Sequence, residues 1–100
     1  MIWLLACVPS VEVAPERAAR SYCQRAEDCS LLQEGERKET CEPNTTEAFE
    51  ALWDESVCEE GFDRKPYKAC ETLIATWDCD DISAGWTDIG ETCSARTVCK

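Results

Sequence analysis

The segment from Cys41 to Cys79, CEPNTTEAFEALWDESVCEEGFDRKPYKACETLIATWDC, decides the fold of this chain. Its first half repeats large apolar side chains at helical spacing, on one face made of Phe49, Leu52, Trp53 and Val57. Asn44, followed three residues later by Glu47, is the expected N-cap of this helix, and Gly61 is its expected end.

The second half of the segment predicts another helix. It has Pro66 in its first turn, and the residues at helical spacing are Tyr67, Cys70, Leu73, Ile74 and Trp77. Because only a few residues separate the two helices, we expect them to form an antiparallel hairpin. The seam of this hairpin would hold Phe49, Leu52, Trp53, Leu73, Ile74 and Trp77.

The flanking sequence adds a third helix and a loop-rich tail. Residues 15–29 begin with Pro and Glu and carry an apolar stripe of Ala19, Tyr22, Cys23 and Ala26. Residues 33–39 are charged and predict an exposed loop, and residues 79–90 are rich in turn formers. Since no stretch alternates as a strand does, we predict a small all-α, disulfide-rich fold of about three helices with a disulfide-closed C-terminal tail.

Composition explains why such a chain needs disulfides. Its 100 residues include 21 acidic and 10 basic side chains, a net charge of -11, and only 17 Ile, Leu, Val and Phe residues. Low aliphatic content with high charge is typical of disorder, but 9 Cys are typical of a secreted disulfide scaffold. We therefore expect one helical disulfide-stabilised domain over residues 16–100.

Eight cysteines are expected to form four disulfides within this domain: Cys23, Cys29, Cys41, Cys58, Cys70, Cys79, Cys93 and Cys99. A zinc site is disfavoured, because no two Cys are as close as zinc knuckles require and the chain has no His. The sequence leaves the pairing open. Cys70 and Cys79 on one helix would lie ~13 Å apart, beyond disulfide reach. Three pairs are geometrically reasonable hypotheses, namely Cys58 with Cys70, Cys29 with Cys41, and Cys93 with Cys99.

The ninth cysteine, Cys7, closes the tetrapeptide Leu4-Leu5-Ala6-Cys7, which resembles the lipobox of bacterial lipoproteins. The resemblance implies that the Cys7 thiol carries a diacylglyceryl group and that the signal is cleaved just before it. Residues 1–6 would then be a signal-peptide remnant whose true start lies upstream, and residues 7–15 a lipidated Cys with an extended tether. The alternative is an apolar stub packed on the domain, with Cys7 as an unpaired thiol.

A wider motif supports the same assignment. The pattern Tyr67-x-x-Cys70-x-x-Leu73-x-x-x-Trp77-x-Cys79-Asp80-Asp81-Ile82, with Tyr22-Cys23-x5-Cys29 upstream, resembles the small cysteine-rich lipoproteins of myxobacteria and their relatives. That resemblance implies one helical disulfide domain attached to the membrane through a lipid on Cys7. Val8 after the modified Cys implies an outer-membrane location.

Catalysis is not expected. The chain has no His, and its domain cysteines are expected to be oxidised, so we predict no catalytic residues, no cofactor and no small-molecule substrate. A carboxylate-based hydrolase is the minor alternative. Four acids near the C-terminus resemble an EF-hand loop, but its ligand positions fail, so no metal site is predicted: Asp78, Asp80, Asp81 and Asp88. Solvated turn acids, with Asp80 or Asp81 as a local cap, are the favoured interpretation. The acidic balance also argues against nucleic acid.

Two features indicate a binding role. The second helix and its continuation carry only acidic charges: Glu47, Glu50, Asp54, Glu55, Glu59 and Glu60. They suit a basic protein partner, although a solvated face is the plainer alternative. Trp86 is either an exposed binding aromatic or a plug of the disulfide core. We therefore predict a lipid-anchored, non-enzymatic binding or structural protein of the cell envelope, the alternative being a free secreted inhibitor, toxin or ligand domain in the extracellular space.

Overall fold

The computed structural model describes residues 8–32 and 38–100, and this part of the chain is helical. Its elements are α1 (Ala14–Asp28), α2 (Lys38–Leu52), α3 (Arg64–Thr76), α4 (Ile82–Thr92) and α5 (Ala95–Val98). No strand occurs in the described ranges, where the only β-type pairing is an isolated bridge between Phe62 and Cys99. The predicted helical, disulfide-rich class is confirmed, but these ranges hold five helices where about three were expected.

Helix α1 follows the sequence prediction closely, and α2 and α3 pack on it, whereas α4 and α5 pack on α3. Ala19, Cys23 and Ala26 are buried along one face, and these small side chains allow neighbouring helices to approach. Helix α2 packs along α1 in antiparallel fashion, since the Cα atoms of Cys23 and Cys41 lie 5.9 Å apart near one end while Pro15 and Trp53 border a common hollow near the other.

The predicted hairpin of α2 and α3 is wrong. Both helices pack mainly on α1 instead of on each other. The short connection between them suggested a direct contact, but residues 53–63 form turns that lead the chain away. Within the expected seam, Phe49, Trp53, Ile74 and Trp77 are nevertheless buried, so the apolar residues were identified correctly while their neighbours were not.

The expected limits of α2 are also wrong at both ends. The helix begins at Lys38, so Pro43 lies inside it and Asn44 is not its N-cap. Thr45 is buried and lies near the sulfurs of the Cys23–Cys41 disulfide, so tertiary packing overrides the tendency of Pro to begin a helix. The predicted exposed loop at residues 33–39 therefore already includes the first two residues of α2, while residues 33–37 lie outside the described ranges.

Helix α2 ends at Leu52, well before Gly61, because Asp54 organises a turn. Its carboxylate accepts hydrogen bonds from the Ser56 backbone N–H at 2.8 Å and the Ser56 hydroxyl at 2.5 Å. Val57, expected on the apolar face, is therefore 57 % exposed. Gly61 does adopt a left-handed conformation, with φ of 88°, in the turn that leads to α3.

An aromatic cluster forms the centre of the core. Trp53 lies 5.1 Å from Phe49, 5.2 Å from Phe62 and 5.8 Å from Tyr67, measured between ring centroids. The indole N–H of Trp53 donates a 2.7 Å hydrogen bond to the carbonyl of Cys93, which satisfies the polar atom of this buried ring. The cluster thus connects α2, α3 and the C-terminal segment.

Four disulfides join all eight domain cysteines, in the pairs Cys23–Cys41, Cys29–Cys79, Cys58–Cys99 and Cys70–Cys93. The three hypothetical pairs are all wrong: Cys58–Cys70 assumed the hairpin of α2 and α3, while Cys29–Cys41 and Cys93–Cys99 assumed that short loops close on themselves. Cys70 and Cys79 do not pair with each other, and this agrees with the distance that helical spacing predicts between them. The observed bridges span 18 to 50 residues and fasten separate elements together.

The C-terminal region contains helices where turns were predicted. Gly85 and Gly90 disfavour a helix by about 1 kcal/mol each relative to Ala, and they prompted the loop prediction. Helix α4 forms nevertheless, because Ile89 is buried and the Asp81 carboxylate accepts from the Ala84 N–H at 3.0 Å as an N-cap. The tail then runs back to α3, with the Asp63 N–H donating to the Val98 carbonyl at 2.7 Å.

The N-terminal segment folds onto the domain from its first described residue. Val8 and Val11 are partly buried against the core, and the carbonyl of Ser10 accepts from the backbone N–H of Ala14 at 2.9 Å. Residues 8–13 therefore differ from the extended tether expected for 7–15. The cysteine proposed for lipidation, Cys7, and the proposed signal remnant at residues 1–6 lie outside the described residues.

Candidate binding surfaces

An acidic groove runs between the N-terminal segment and the end of α2. It consists of two adjoining hollows of about 310 and 480 Å³, which share Val11, Glu12 and Glu55. The remaining lining is Ser10, Pro15, Glu50, Trp53, Asp54, Cys58, Glu59, Glu60 and Gly61. We call this surface the acidic groove.

The groove carries six carboxylates and no basic side chain: Glu12, Glu50, Asp54, Glu55, Glu59 and Glu60. None of them forms an ion pair with a described residue. The hydrogen bonds from Ser56 hold the pKa of Asp54 below its usual value, so this carboxylate remains charged in mildly acidic solution. The surface is therefore suited to cationic groups.

The sequence identified most of the groove carboxylates, but it placed them along a helix and its continuation and did not predict a groove. Glu50 lies on α2, whereas Asp54, Glu55, Glu59 and Glu60 lie in the turns that follow the helix. Glu47 does not line the groove. Glu12, on the opposite wall, was not predicted, because only the antiparallel packing of α1 and α2 brings it there.

A second, smaller cavity lies between α1 and α3. Its volume is about 130 Å³, and its lining residues are Arg17, Ala18, Ser21, Tyr67, Glu71 and Ile74. Glu71 lies 3.7 Å from Arg17 and 3.1 Å from Lys68. We call it the tyrosine cavity, because Tyr67 is only 2 % exposed and yet borders it.

Burial and the nearby Glu71 carboxylate raise the pKa of Tyr67 to about 12, although Arg17 opposes the shift. Since the folded pKa is raised, the neutral phenol contributes stability that is complete below the ordinary value of 10 and is lost as the pH approaches 12. We predict that Tyr67 acquires phenolate absorbance only near pH 12, and that Tyr67→Phe removes this component from the absorbance titration. Ionisation of Tyr67 near pH 10 in a protein with intact circular dichroism would contradict the prediction.

Trp86 lies on α4 and is 40 % exposed. Its ring packs on Tyr22, with 4.6 Å between centroids, and Tyr22 stacks on Trp77 at 5.2 Å. Trp86 is thus the outer member of an aromatic stack and not a plug of the disulfide core.

Two acids of the failed EF-hand pattern, Asp78 and Asp81, act as turn and cap residues. The Asp78 carboxylate accepts from the Asp80 N–H at 2.8 Å, and Asp81 caps α4. Within residues 8–32 and 38–100, no group of three or more acidic or Cys side chains is arranged to hold a metal ion.

No known protein family matches this chain, and no curated protein or solved structure is significantly similar to it. Among the helices of the described ranges, none has the length and apolar character needed to cross a bilayer.

Proposed function

We propose that this protein is a lipid-anchored, non-enzymatic domain of the bacterial cell envelope, attached to the outer membrane through Cys7, and that it binds a basic protein partner in the acidic groove. The observation that carries the proposal is the position of the groove, one wall of which is built from Ser10, Val11 and Glu12. The site for the partner therefore includes residues that follow Cys7 in the chain by three to five positions.

The four disulfides support an oxidising location. Bridges of this kind persist in secreted, periplasmic and surface proteins and are rare in the reducing cytosol. All eight domain cysteines are paired with one another, which leaves Cys7 as the cysteine available for another modification. The proposal requires an even number of paired cysteines and one further cysteine in a lipobox-like sequence, and this chain has both.

The folded N-terminal segment sets the distance from membrane to groove. Val8 already packs on the core, and Ser10, three residues after Cys7, borders the groove. Three extended residues reach at most ~11 Å. A lipid on Cys7 would therefore hold the groove close to the headgroups, where it meets partners at the membrane surface.

The charge of the groove defines the class of partner. Six carboxylates without ion-pair partners among the described residues attract Lys and Arg side chains, and they repel anionic lipid. The groove is also lined by Trp53 and Val11, which add apolar surface for the stems of those side chains. A basic segment of a protein fits this surface better than a small cation does.

The anchor is tested by expressing the protein from its own gene and following its partition into detergent. We expect intact mass spectrometry to find a diacylglyceryl-bearing N-terminal Cys7 and Cys7→Ser to move the protein to the soluble fraction. An unmodified mature N-terminus beyond Cys7 would contradict the anchor and favour the alternative, a free secreted inhibitor, toxin or ligand domain.

The groove is tested by binding of an oligolysine peptide to a triple variant, Glu50→Gln, Glu55→Gln and Glu59→Gln. We expect affinity to fall about fivefold or more and its salt dependence to weaken, since each lost charge removes a few tenths to 1 kcal/mol. The control variant, Asp80→Asn, Asp88→Asn and Glu91→Gln, removes the same charge from exposed residues outside the groove. Equal losses in both variants would show only long-range attraction and would contradict a groove site.

A further inference from the structure

The tyrosine cavity is bordered by Tyr67, whose side chain ends in a hydroxyl group. The ring of Tyr67 packs on Phe62, 4.5 Å away between centroids, and on Trp53. Glu71 and Arg17, whose charges influence the pKa of Tyr67, line the same cavity. Among the described residues, Trp77 Nε1 is the buried side-chain polar atom without a hydrogen-bond partner, so the Tyr67 hydroxyl at the cavity is open to solvent and can donate to a small molecule that replaces it.

Arg17 also lines this cavity and carries guanidinium donors, and its side chain is 48 % exposed. Its guanidinium lies 3.7 Å from Glu71, too far for a hydrogen bond, and it donates no hydrogen bond to another described residue. Glu71 has a closer partner in Lys68, at 3.1 Å. Arg17 is therefore available to an incoming anion without leaving Glu71 unpaired.

The other walls determine the size and polarity of the ligand. Ser21 contributes a hydroxyl, while Ala18 and Ile74 contribute apolar surface. At ~30 Å³ for each water in the liquid, a volume of about 130 Å³ corresponds to about four waters, or four to five heavy atoms. A molecule with one charged end and a short alkyl end matches this space.

We propose that the tyrosine cavity binds a short-chain monocarboxylate of the size of acetate or propionate, with its carboxylate between Arg17 and Tyr67 and its alkyl group against Ala18 and Ile74. Arg recognises a carboxylate through two parallel N–H groups, and the phenol adds a third donor. Because the pKa of Tyr67 is raised, its hydroxyl remains a donor wherever the domain is folded at ordinary pH.

Other ligand classes fit less well. A cation would meet the Arg17 guanidinium, and a neutral alcohol would leave that guanidinium without an acceptor. A dianion such as phosphate would face Glu71 and the net charge of -11 of the whole chain, and it would leave the apolar wall uncovered. This site is separate from the acidic groove, with which it shares no lining residue.

The experiment is an NMR titration of the oxidised protein with sodium propionate at constant ionic strength, with 1-propanol as the uncharged comparison. We expect saturable shifts at the Arg17 side-chain N–H and at backbone amides near Ser21 and Tyr67, and no saturation with propanol. Arg17→Gln and Tyr67→Phe should each weaken propionate binding about tenfold. Tyr67→Phe retains the ring that packs on Phe62, so the fold is expected to survive.

Arg20→Gln is the matched control. Arg20 is an exposed arginine on the same helix that pairs with Glu16 at 3.5 Å and does not line the cavity. Its replacement should change propionate affinity by less than about twofold. The proposal is overturned if propionate gives no saturable shift, if propanol binds equally well, or if Arg20→Gln weakens binding as much as Arg17→Gln.

Discussion

Replacing Cys29 and Cys79 together by alanine should lower the free energy of unfolding by about 4 kcal/mol. The bridge joins residues 50 positions apart, the longest separation of the four, and the entropy that a crosslink removes from the unfolded chain grows with the length of the loop it closes. Both residues are only partly buried, so the substitution leaves little cavity and the loss is mainly that of the crosslink. Urea unfolding followed by circular dichroism measures it.

The reducing agent dithiothreitol provides the control for this prediction. Once all four bridges of both proteins are reduced, the variant and the parent should unfold alike, because the crosslink that distinguishes them is gone. A difference below about 1 kcal/mol between the oxidised proteins would show that this bridge adds little to a core that is stable without it. Since small domains have a total stability of ~5–15 kcal/mol, the expected loss is a large share of it.

Trp53→Ala should destabilise the domain by about 3–5 kcal/mol. Trp53 is 1 % exposed, contacts three other aromatic rings, and donates the hydrogen bond to the Cys93 carbonyl that links α2 to the C-terminal segment. The alanine variant loses the ring, leaves a cavity and removes the donor to a buried carbonyl. Thermal and urea unfolding followed by far-ultraviolet circular dichroism measure the change.

Two further variants separate the contributions. Trp53→Phe keeps an aromatic ring but lacks the N–H, so it should cost about 1–3 kcal/mol. Trp86→Ala is the matched control on the surface, because Trp86 is 40 % exposed, and its loss should be below that of either Trp53 variant. If Trp86→Ala proves as damaging as Trp53→Ala, the aromatic stack and not the Trp53 cluster is the centre of the core.

The elements that the sequence predicted well are those in which local signals agree. In α3, Pro66 lies in the first turn, and Tyr67, Cys70 and Ile74 recur on one buried face, so propensity and periodicity indicate the same helix. In α4, glycine propensity opposes the helix, and the buried Ile89 outweighs it. Local propensity fails there because burial against distant residues contributes more free energy than two glycines cost.

The two candidate sites also differ in how much of each could be predicted from the sequence. The run of acidic residues from Glu50 to Glu60 is visible in the sequence, and so is its negative charge. The groove exists only because Val11 and Glu12 are brought to face that run. The tyrosine cavity gave no sequence signal, because Arg17 and Tyr67 are typical of a solvated and a buried helix face, and only the packing of α1 against α3 brings both residues to one cavity.

By itself, the sequence determined the helical class, the dependence on eight paired cysteines, the strong negative charge and the separate status of Cys7. The tertiary structure alone decided which cysteines pair, which helices are neighbours and where polar groups converge. Periodicity and composition are local properties, read over a few turns of chain. A disulfide needs two Cα atoms about 5–6 Å apart, and for residues as distant as Cys29 and Cys79 that separation depends on the packing of the whole domain.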